Sequence, residues 1–360
     1  MKIILSGGGT LGPVTPLLAI AAAYKKYDSS CRFLWVGTKH GPERALVEKA
    51  GVSFKPINSG KFRRYFSFWN VSDLFRVGAG LAQSLAFLKK EKPDLLISAG
   101  GFVSVPLHWA ASLLSIPTWV HQQDARPGLA NKMMSVSAAK ITTALKSGTG
   151  IFDSRKTEWL GNPCRDLRVE DRAAAKKFFN IADAEPVILA MGGGTGASKL
   201  NSMVLAMLPL IPKTWHVVHL VGFERSAADC EKTAELFSNY KVYKFFTDEM
   251  ALAYAAADVV ISRAGFGSLS EMASLAKPAI ILPISDSHQE ENAKPLAEEG
   301  AIVMLNEIVD TGVNLAESVK ALVADPERRR LLGEKLRSAL PVAEEEKIVR
   351  IITELTKTGA

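Results

Sequence analysis

The chain reads Lys2-Ile3-Ile4-Leu5-Ser6-Gly7-Gly8-Gly9-Thr10-Leu11-Gly12 near its start and Val187-Ile188-Leu189-Ala190-Met191-Gly192-Gly193-Gly194-Thr195-Gly196-Ala197 at its middle. Each stretch is a short apolar run, as expected of a buried strand, followed by a glycine turn and the start of a helical pattern. Glycines in such a turn let backbone N–H groups approach an anion at the N-terminus of a helix. The repetition predicts two similar domains, each with an anion-binding turn after its first strand.

Short apolar runs alternate with helical patterns along the whole chain. This alternation indicates parallel sheets with helices on both faces. A single sheet of twelve strands is improbable, so the sequence predicts an α/β protein of two doubly wound domains. The predicted strands are Lys2–Ser6, Arg32–Val36, Ser53–Ile57, Asp94–Ser98, Thr118–His121, Ile141–Ala144, Pro186–Met191, His216–Val221, Lys241–Phe245, Asp258–Ser262, Ala279–Pro283 and Ala301–Leu305. The predicted helices include Val14–Tyr27, Glu170–Phe179, Glu290–Glu299 and Val342–Leu355.

The boundary between the domains is predicted at Gly161-Asn162-Pro163. A charged helical segment follows this tripeptide, and a new strand begins near Pro186. At roughly 100–200 residues per domain, a length of 360 residues also indicates about two domains.

The composition is that of an ordinary globular protein. Charged residues make up 22% of the chain, so disorder is not expected, and no apolar stretch approaches the roughly 18 residues of a spanning helix. The first residues turn glycine-rich at Gly7 and show no signal-peptide core. Cys31, Cys164 and Cys230 are too few and too far apart for a disulfide scaffold or a cysteine zinc site, which favours a reducing cytosol. The net charge of +7 permits an anionic partner without identifying it.

Much of the excess charge lies between Lys61 and Lys92, where there are seven basic and two acidic residues. Arginines there stand beside aromatic rings, a combination that suits the headgroup region of an anionic membrane surface. The alternative is a loop followed by an amphipathic core helix whose Leu74, Leu81, Leu85 and Leu88 face inward. The candidate membrane residues are Phe62, Arg63, Arg64, Phe66, Phe68, Trp69 and Phe75.

Both glycine turns match the G-x-G-x-x-G/A pattern of dinucleotide-binding domains. That motif also needs an acid at the end of the second strand to hold the ribose. The corresponding strands end in Trp35-Val36-Gly37-Thr38 and Leu220-Val221-Gly222-Phe223, and neither offers one. An NAD- or FAD-dependent oxidoreductase is therefore disfavoured, and a Walker loop is excluded because no Gly-Lys-Ser/Thr follows the glycines.

Further polar clusters stand at predicted strand ends and helix starts. Ligands of open α/β sheets bind outside the carboxyl ends of the strands, so we expect these clusters to face one cleft between the domains. A carboxylate at Glu271 can accept two ribose hydroxyls while a helix N-terminus faces a phosphate; the alternative is a helix cap, with Ser268 as N-cap and Glu271 at N3. No cluster has metal-ligand spacing. We therefore expect helix dipoles and arginine to meet phosphate charge, with no metal or other cofactor required.

Five motifs occur together in the chain. They are Gly8-Gly9-Thr10, Gly100-Gly101-Phe102-Val103-Ser104, His121-x-Gln123-x-x-x-x-Gly128-x-x-Asn131-Lys132, Gly161-Asn162-Pro163-x-Arg165 and Arg263-Ala264-Gly265-x-x-Ser268-x-x-Glu271. In this order they resemble the MurG family, peptidoglycan glycosyltransferases that add N-acetylglucosamine (GlcNAc) to undecaprenyl-diphosphate-MurNAc-pentapeptide and so convert lipid I to lipid II. The resemblance covers nearly the whole chain.

The resemblance implies a GT-B fold of two Rossmann-like domains facing across a cleft. Residues 1–162 with 341–360 would form the acceptor-binding, membrane-associated domain, to which the C-terminal helix returns. Residues 163–340 would bind the donor, UDP-GlcNAc. The protein would act in cell-wall synthesis, and so in cell shape and division, as a peripheral enzyme on the cytoplasmic face of the cell membrane. The implied partners are the donor, the lipid-linked acceptor and the anionic membrane surface, with no nucleic acid.

The resemblance also implies roles for single residues. The implied donor-binding residues are Arg165, Gly194, Thr195, Gly196, Phe246, Thr247, Arg263, Gly267, Ser268, Glu271, His288, Gln289 and Asn292. The implied acceptor-binding residues are Gly9, Thr10, Gly12, Phe102, Val103, Ser104 and Asp124. Within the donor set, Arg263, Gly267, Ser268 and Glu271 would contact the α-phosphate and the ribose. Phe246 and Thr247 would flank the uracil.

The chain departs from the family pattern at the expected catalytic base. Pro13 stands where the family has a candidate catalytic histidine, and Leu11 replaces a glycine beside it. The usual His-Glu-Gln-Asn reads His121-Gln122-Gln123-Asp124, and Gly194 and His288 replace a common serine and glutamine. Inverting transfer needs a base near the attacking hydroxyl. We hypothesise that Asp124 is this base and that His121 orients or replaces it; the alternative is that Asp124 only hydrogen-bonds a sugar hydroxyl.

Two other functions remain open at this point. One is another GT-B nucleotide-sugar enzyme, either a different glycosyltransferase or a UDP-GlcNAc 2-epimerase, which would not need a lipid-facing Lys61–Lys92 segment. The other is a catalytically impaired homologue that keeps the donor pocket and has lost its chemistry at Pro13.

Overall fold

The computed structural model describes residues 1–57, 69–223 and 225–357; for residues 69–77 it describes the backbone but not the side chains. The chain divides into two compact units, Met1–Arg165 with Val342–Ala360 and Asp166–Pro341. These limits lie next to the boundaries predicted at 162 and 340.

The first unit contains a parallel sheet in the strand order β3-β2-β1-β4-β5-β6-β7. Its strands are β1 (Lys2–Ser6), β2 (Arg32–Gly37), β3 (Ser53–Pro56), β4 (Leu95–Ser98), β5 (Thr118–Gln122), β6 (Lys140–Thr143) and β7 (Thr157–Trp159). Its helices are α1 (Val14–Tyr27), α2 (Glu43–Lys49), α3 (Trp69–Glu91), α4 (Ser104–Leu113), α5 (Leu129–Ser135), a 3-10 turn (Lys146–Ile151) and the last helix of the chain, described below.

The second unit repeats this topology with the order β10-β9-β8-β11-β12-β13, again all parallel. Its strands are β8 (Val187–Met191), β9 (His216–Leu220), β10 (Tyr240–Tyr243), β11 (Val259–Ser262), β12 (Ala279–Ile281) and β13 (Val303–Met304). Its helices are α6 (Arg172–Phe178), α7 (Ser198–Met207), a 3-10 turn (Leu208–Leu210), α8 (Ala228–Leu236), α9 (Met250–Ala256), α10 (Phe266–Ser274), α11 (His288–Glu298), α12 (Gly312–Ala324) and α13 (Pro326–Ala339).

The predicted fold class is confirmed, and each of the twelve predicted strands forms. The central strands read as continuous apolar runs because helices cover both faces of each sheet, as in β1, where Ile3, Ile4 and Leu5 are all fully buried. The prediction missed β7. This strand is three residues long, includes Glu158 and lies at the sheet edge, so it shows no apolar run.

The last helix, α14 (Glu345–Lys357), belongs to the first unit. Its buried residues Ile348, Ile351 and Ile352 join one core cluster with Leu17 and Ile20 of α1. The i, i+3, i+4 spacing of the three isoleucines gives the helix a single apolar face. The C-terminal helix therefore packs where the family resemblance implies.

Part of the predicted membrane segment falls outside the described residues. Phe62, Arg63, Arg64, Phe66 and Phe68 lie among residues that the structure does not describe, and only the backbone is described at Trp69 and Phe75. Further along α3, Leu88 is fully buried, and Leu81 and Leu85 pack against the same core cluster. The described end of α3 thus fits the core-helix interpretation. Among the described helices, none combines the length and apolar character needed to cross a bilayer.

Candidate active site

In each sheet the strand order reverses between two neighbouring strands, β1 and β4 in the first unit and β8 and β11 in the second. The connections that follow these two strands run in opposite directions, which makes a topological switch point. In the first unit β1 pairs with β4, with Ser6 opposite Ser98 at their carboxyl ends. In the second unit β8 pairs with β11, with Met191 opposite Ser262. The two glycine turns follow β1 and β8, and the other two motif loops follow β4 and β11. Both units therefore place two of the motif loops where α/β sheets bind ligands.

In the first unit, the loops after β1 and β4 touch. We call residues 7–12 the first glycine loop and residues 100–104 the β4 loop. Gly9 and Gly101 have φ of +83° and +90°, the left-handed region that favours glycine. A Cβ on Gly101 would lie 2.8 Å from the carbonyl oxygen of Gly8. Glycine is thus required at 101 both by its φ and by the close approach of the two loops.

Pro13 is buried beneath the first glycine loop. A Cβ on Gly7 would lie 2.8 Å from Cβ of Pro13, and one on Gly100 would lie 3.8 Å from its Cγ. The pyrrolidine ring therefore fills space between the two loops and has no proton acceptor to offer there. Another group must act as the base if this site carries out transfer.

Two predicted acceptor-binding residues of the β4 loop, Val103 and Ser104, have buried side chains. Ser104 is fully buried, and its hydroxyl donates to Ser6 Oγ at 2.9 Å or to the Gly100 carbonyl oxygen at 3.2 Å. Val103 is also buried. These side chains fix the start of α4 against β1. Phe102 is half-buried, and Thr10 and Gly12 of the first glycine loop are exposed.

Two buried amides beside these loops were not among the predicted site residues. Gln123 and Asn131 are each only 5% exposed. Within the described part of the chain, Gln123 Oε1 and Asn131 Oδ1 have no hydrogen-bond partner. Gln123 faces Gly12 and Asn131 faces Gly100. Because buried polar atoms are nearly always satisfied, these two oxygens are suited to accept from hydroxyl or amide donors that reach the two loops.

His121 lies in a closed hydrogen-bond network. Its Nδ1 is 2.9 Å from Thr142 Oγ1, and its Nε2 is 2.9 Å from Asn162 Oδ1. Trp119 Nε1 donates to the same Thr142 hydroxyl at 2.8 Å, so that hydroxyl donates to Nδ1 and Nε2–H donates to Asn162. Burial lowers the pKa of His121 to about 4, against a smaller raising effect of the Asn162 bond. Both ring nitrogens are therefore engaged, and His121 links β5 to Thr142 of β6 and to Asn162 within the first unit.

We expect His121 to make the protein acid-sensitive. Its folded pKa lies below the usual 6.5, so the unfolded chain binds the proton first, and stability present above pH 6.5 is lost as the pH falls towards 4. At pH 5 this amounts to about 2 kcal/mol. Urea denaturation gives the free energy of unfolding at pH 7 and at pH 5. The decrease between the two pH values should be smaller in His121→Gln than in the wild type, and unchanged in His288→Gln, where the replaced imidazole is exposed. An unchanged pH dependence in His121→Gln would contradict this.

Asp124 follows β5 in the same region and is half-buried. Gln122 holds its backbone, since Gln122 Nε2 donates to the Asp124 carbonyl oxygen at 2.7 Å. Asn131 Nδ2 donates to Gln122 Oε1 at 2.6 Å and so links this turn to α5. The turn therefore holds one carboxylate at the carboxyl end of a central strand, two residues beyond β5.

The loop after β8, residues 192–197, is the second glycine loop. Gly193 and Gly196 have φ of +81° and +84°, and the Gly196 N–H donates to the Gly193 carbonyl at 3.1 Å. A Cβ on Gly196 would overlap the Val221 carbonyl oxygen. Glycine is required there by conformation and by contact with Val221, the residue that follows β9. Gly194 is half-buried and Thr195 is exposed at the tip of the loop.

The structure corrects the capping interpretation of α10. The N-cap is Gly265, with no side-chain cap, so Ser268 is the third helical residue and Glu271 the sixth. The Ser-x-x-Glu pattern is therefore not a capping box here. Gly267 and Ser268 are half-buried in the first turn, where helix N–H groups have no intrahelical partner and favour an anion.

Glu271 is held by a tyrosine that the sequence did not reveal as a site residue. The hydroxyl of Tyr254, a fully buried residue of α9, donates to Glu271 Oε2 at 3.1 Å. Glu271 itself is 6% exposed. This bond ties the Glu271 carboxylate, in the middle of α10, to α9.

We expect Tyr254→Phe to raise the KM for a UDP-sugar about tenfold, since losing one hydrogen bond to a charged group costs about 1.5 kcal/mol. Tyr240→Phe is the matched control. It removes an equally buried hydroxyl, bonded at 2.7 Å to His219, at the amino end of β10. Steady-state kinetics should show a changed KM only for Tyr254→Phe; equal effects of both variants would reduce the role of Tyr254 to folding.

Arg263 lies after β11 and is committed to neighbouring protein groups. Its Nη1 contacts the carbonyl oxygens of Leu282 and Pro283 at 2.9 and 3.1 Å and Glu307 Oε2 at 2.6 Å. Burial raises the pKa of Glu307, but the Ser285 N–H bond and Arg263 outweigh it and leave this pKa lowered. Arg263 Nε is buried without a partner among the described residues. The guanidinium thus fixes the loop after β12.

The aromatic residues after β10 divide into a buried and an exposed set. Phe246 is buried against Tyr243 and Phe179, with ring centroids 4.7 and 5.9 Å apart. Phe245 instead stacks on the exposed Phe223 at 4.6 Å. The Phe246 ring therefore packs beneath the loop that follows β10. Thr247, the next residue, is half-buried, and its N–H donates to Glu249 Oε2 at 3.3 Å.

The remaining predicted donor residues lie at the start of α11 and at the end of the first unit. Ser287 caps α11 by accepting from Gln289 N–H, Gln289 Oε1 accepts from Ile284 N–H at 3.3 Å, and His288 is exposed. Asn292 is buried and donates to the Ala264 carbonyl oxygen at 3.3 Å, which ties α11 to the Arg263 loop. Arg165 is the last residue of the first unit before the chain enters the second unit. Across the described ranges, no group of three acidic, histidine or cysteine side chains is arranged to hold a metal.

The comparison with known proteins decides the family. The models described as "Glycosyltransferase family 28 N-terminal domain" and "Glycosyltransferase family 28 C-terminal domain" match residues 3–143 and 187–347. A relative from Lachnospira eligens, named UDP-N-acetylglucosamine--N-acetylmuramyl-(pentapeptide) pyrophosphoryl-undecaprenol N-acetylglucosamine transferase, is 36% identical over 329 residues, covering 90% of this chain and 91% of its own.

The chain belongs to glycosyltransferase family 28. Among solved structures, Acinetobacter baumannii MurG superposes with a TM-score of 0.74 at 24% identity, over 98% of this chain and 99% of its own. A UDP-GlcNAc 2-epimerase from Neisseria meningitidis bound to UDP-GlcNAc gives a TM-score of 0.65 at 16% identity, over 99% of both chains. The fold of this family 28 chain is thus the predicted GT-B class, which epimerases share, and the fold alone does not separate the two activities.

Proposed function

We propose that this enzyme transfers GlcNAc from UDP-GlcNAc to the undecaprenyl-linked MurNAc-pentapeptide of peptidoglycan synthesis, with inversion at the anomeric carbon. The observation that carries the proposal is the 36% identity across 90% of the chain to a relative named for this reaction. The epimerase likeness, at 16% identity, extends to the fold alone.

The second unit supplies groups suited to the donor. The N-terminal turn of α10 and the second glycine loop offer backbone N–H groups to a diphosphate, and helix N-termini favour such anions. Glu271, oriented by Tyr254, offers carboxylate oxygens to ribose hydroxyls. In the proposal, Gly194, Thr195, Gly196, Gly267 and Ser268 contact the diphosphate, while Thr247, Gln289, His288 and Asn292 contact the uridine or the GlcNAc.

The first unit supplies groups suited to the acceptor. Thr10, Gly12 and the β4 loop offer N–H groups, and the orphan oxygens of Gln123 and Asn131 suit hydroxyl or amide donors of a sugar. In the proposed step, the oxygen of the acceptor hydroxyl bonds to the anomeric carbon, and Asp124 takes the proton of that hydroxyl. The bond from that carbon to the UDP oxygen breaks, and UDP leaves with the electron pair.

Association with the membrane is part of the proposal. It rests on the basic and aromatic composition of Lys61–Lys92 and on the undecaprenyl-linked substrate in the relative's name. The proposed location is the cytoplasmic face, where UDP-GlcNAc is available.

The test uses the full chain with labelled UDP-GlcNAc and detergent-solubilised lipid-linked muramyl-pentapeptide. We expect a labelled disaccharide lipid and free UDP, formed without added metal. Conversion of UDP-GlcNAc to its 2-epimer in the absence of acceptor would favour the epimerase. Donor binding with no transfer would identify an impaired homologue, for which the loss of a base at Pro13 is the physical reason.

A further inference from the structure

Glu43 is a fully buried carboxylate at the first glycine loop, although it lies on α2. Its Oε1 accepts from the Thr38 N–H at 2.7 Å and from the Thr38 hydroxyl at 2.5 Å, at the end of β2. Its Oε2 is 3.3 Å from the Gly9 nitrogen, which donates to it. An acid thus does reach the end of β2, but from five residues further along the chain, and it points into the loop rather than towards solvent.

Three glycines surround this carboxylate. A Cβ on Gly8 or Gly41 would overlap Glu43 Oε1 or Oε2, and one on Gly37 would lie 3.1 Å from Oε1. Any larger residue at 8 or 41 would therefore displace the carboxylate. Gly8 after β1, Gly37 at the end of β2 and Gly41 beyond it together leave the volume that the Glu43 side chain fills.

We propose that Glu43 is a positioning residue of the acceptor site: its carboxylate holds the Gly9 N–H, so that the first glycine loop binds the acceptor diphosphate through the N–H groups beyond Gly9. The inference rests on the proposed function and changes one of its predicted contacts. Gly9 binds the internal carboxylate, and Thr10, Leu11 and Gly12 present their N–H groups to the ligand. Gly9, Thr10 and Gly12 are all exposed, so what sets Gly9 apart is its bond to Glu43 and not its burial.

The variant Glu43→Gln separates the Gly9 contact from the Thr38 contacts. The glutamine oxygen can still accept from Thr38, but the amide NH₂ then faces the Gly9 N–H, and two donors cannot bond. Thr38→Val is the matched control, because it removes the hydroxyl bond to Oε1 and leaves the Gly9 contact intact. Both changes weaken the same buried carboxylate, so a purely structural role predicts the same outcome for both.

We expect Glu43→Gln to raise the KM for the lipid-linked acceptor about tenfold, equivalent to about 1.4 kcal/mol, with the KM for UDP-GlcNAc unchanged. Thr38→Val should leave both KM values near those of the wild type. Equal acceptor KM values for wild type and Glu43→Gln, or equal increases in the two variants, would overturn the proposal.

Residue-resolved amide hydrogen exchange tests the same contact without substrate. In the wild type, after correction for intrinsic rates, the Gly9 amide should exchange at least about tenfold more slowly than that of Thr10, because a hydrogen-bonded amide must open first. Equal rates would overturn the proposal even if Glu43→Gln does not fold. If the wild type protects Gly9 but forms no disaccharide lipid, the proposed function fails while the contact of Glu43 with the loop stands.

Discussion

Asp124→Asn should lower kcat for GlcNAc transfer by about a thousandfold, within the range of general base catalysis. Asparagine keeps the size of the side chain and can still hydrogen-bond a sugar, but it cannot take a proton. The Gln122 bond goes to the Asp124 backbone and survives the substitution. The KM values for both substrates should therefore stay close to those of the wild type.

The alternative role of Asp124 gives a different result. If the carboxylate only hydrogen-bonds a sugar hydroxyl, the acceptor KM rises and kcat stays near that of the wild type; unchanged turnover eliminates Asp124 as the base. Asp153→Asn is the control, since Asp153 is an exposed acid of the same unit, paired at 2.8 Å with Arg155. The pH profile of kcat adds a readout, because its acidic limb should disappear with the base.

Arg263→Met should lower the free energy of unfolding by about 3–5 kcal/mol, the usual effect of removing one member of a buried ion pair. Methionine fills much of the volume but leaves the mostly buried Glu307 carboxylate without its cation and two carbonyl oxygens without a donor. Adding Glu307→Gln should recover about half of the loss, because the uncompensated charge is then gone. Donor affinity should stay low in both variants, since the Arg263 Nε donor is absent from each.

The matched control is Arg168→Met. Arg168 pairs with Asp166 at 2.6 Å in the same unit, and both side chains are more than half exposed. An exposed pair contributes up to about 1 kcal/mol, so the control should change stability little. Urea denaturation measures all three variants. A stable Arg263→Met protein with weak donor binding would mean that Arg263 is a ligand contact with no structural role.

The sequence was a good guide wherever a local pattern carries the information. The apolar runs predicted every central strand, and the glycine turns predicted two loops that lie at the switch points of the sheets. Periodicity placed α1 at its observed limits, Val14–Tyr27. The Ser-x-x-Glu pattern misled because it fits both a capping box and the interior of α10, and only the backbone shows that Gly265 is the cap.

The residues that sequence reasoning missed act at long range. Glu43 reaches Gly9 across 34 positions, and Tyr254 reaches Glu271 across 17. Glu307, the partner of Arg263, is a further example. The dinucleotide motif places its acid at the end of the second strand, here Thr38, and Glu43 lies five residues beyond that position. A useful signal was present in Gly37 and Gly41, whose small size on either side of a strand end makes room for a neighbouring side chain.

For His121 and Phe246 the structure adds what a motif does not carry. His121, predicted to orient or replace the base, is fully buried with both ring nitrogens hydrogen-bonded. Phe246, predicted to flank the uracil, is buried against Tyr243 and Phe179. Neither burial nor the direction of a ring can be read from a motif.

The central claim is a division of labour in which the second unit binds the nucleotide and the first binds the lipid-linked acceptor. Peptide-resolved hydrogen exchange of the full chain with saturating UDP tests it most directly. The account predicts slower exchange in residues 192–197 and 263–271 and no change in residues 7–12 and 100–104. Protection of the first glycine loop by UDP, or no protection around Glu271, would contradict it.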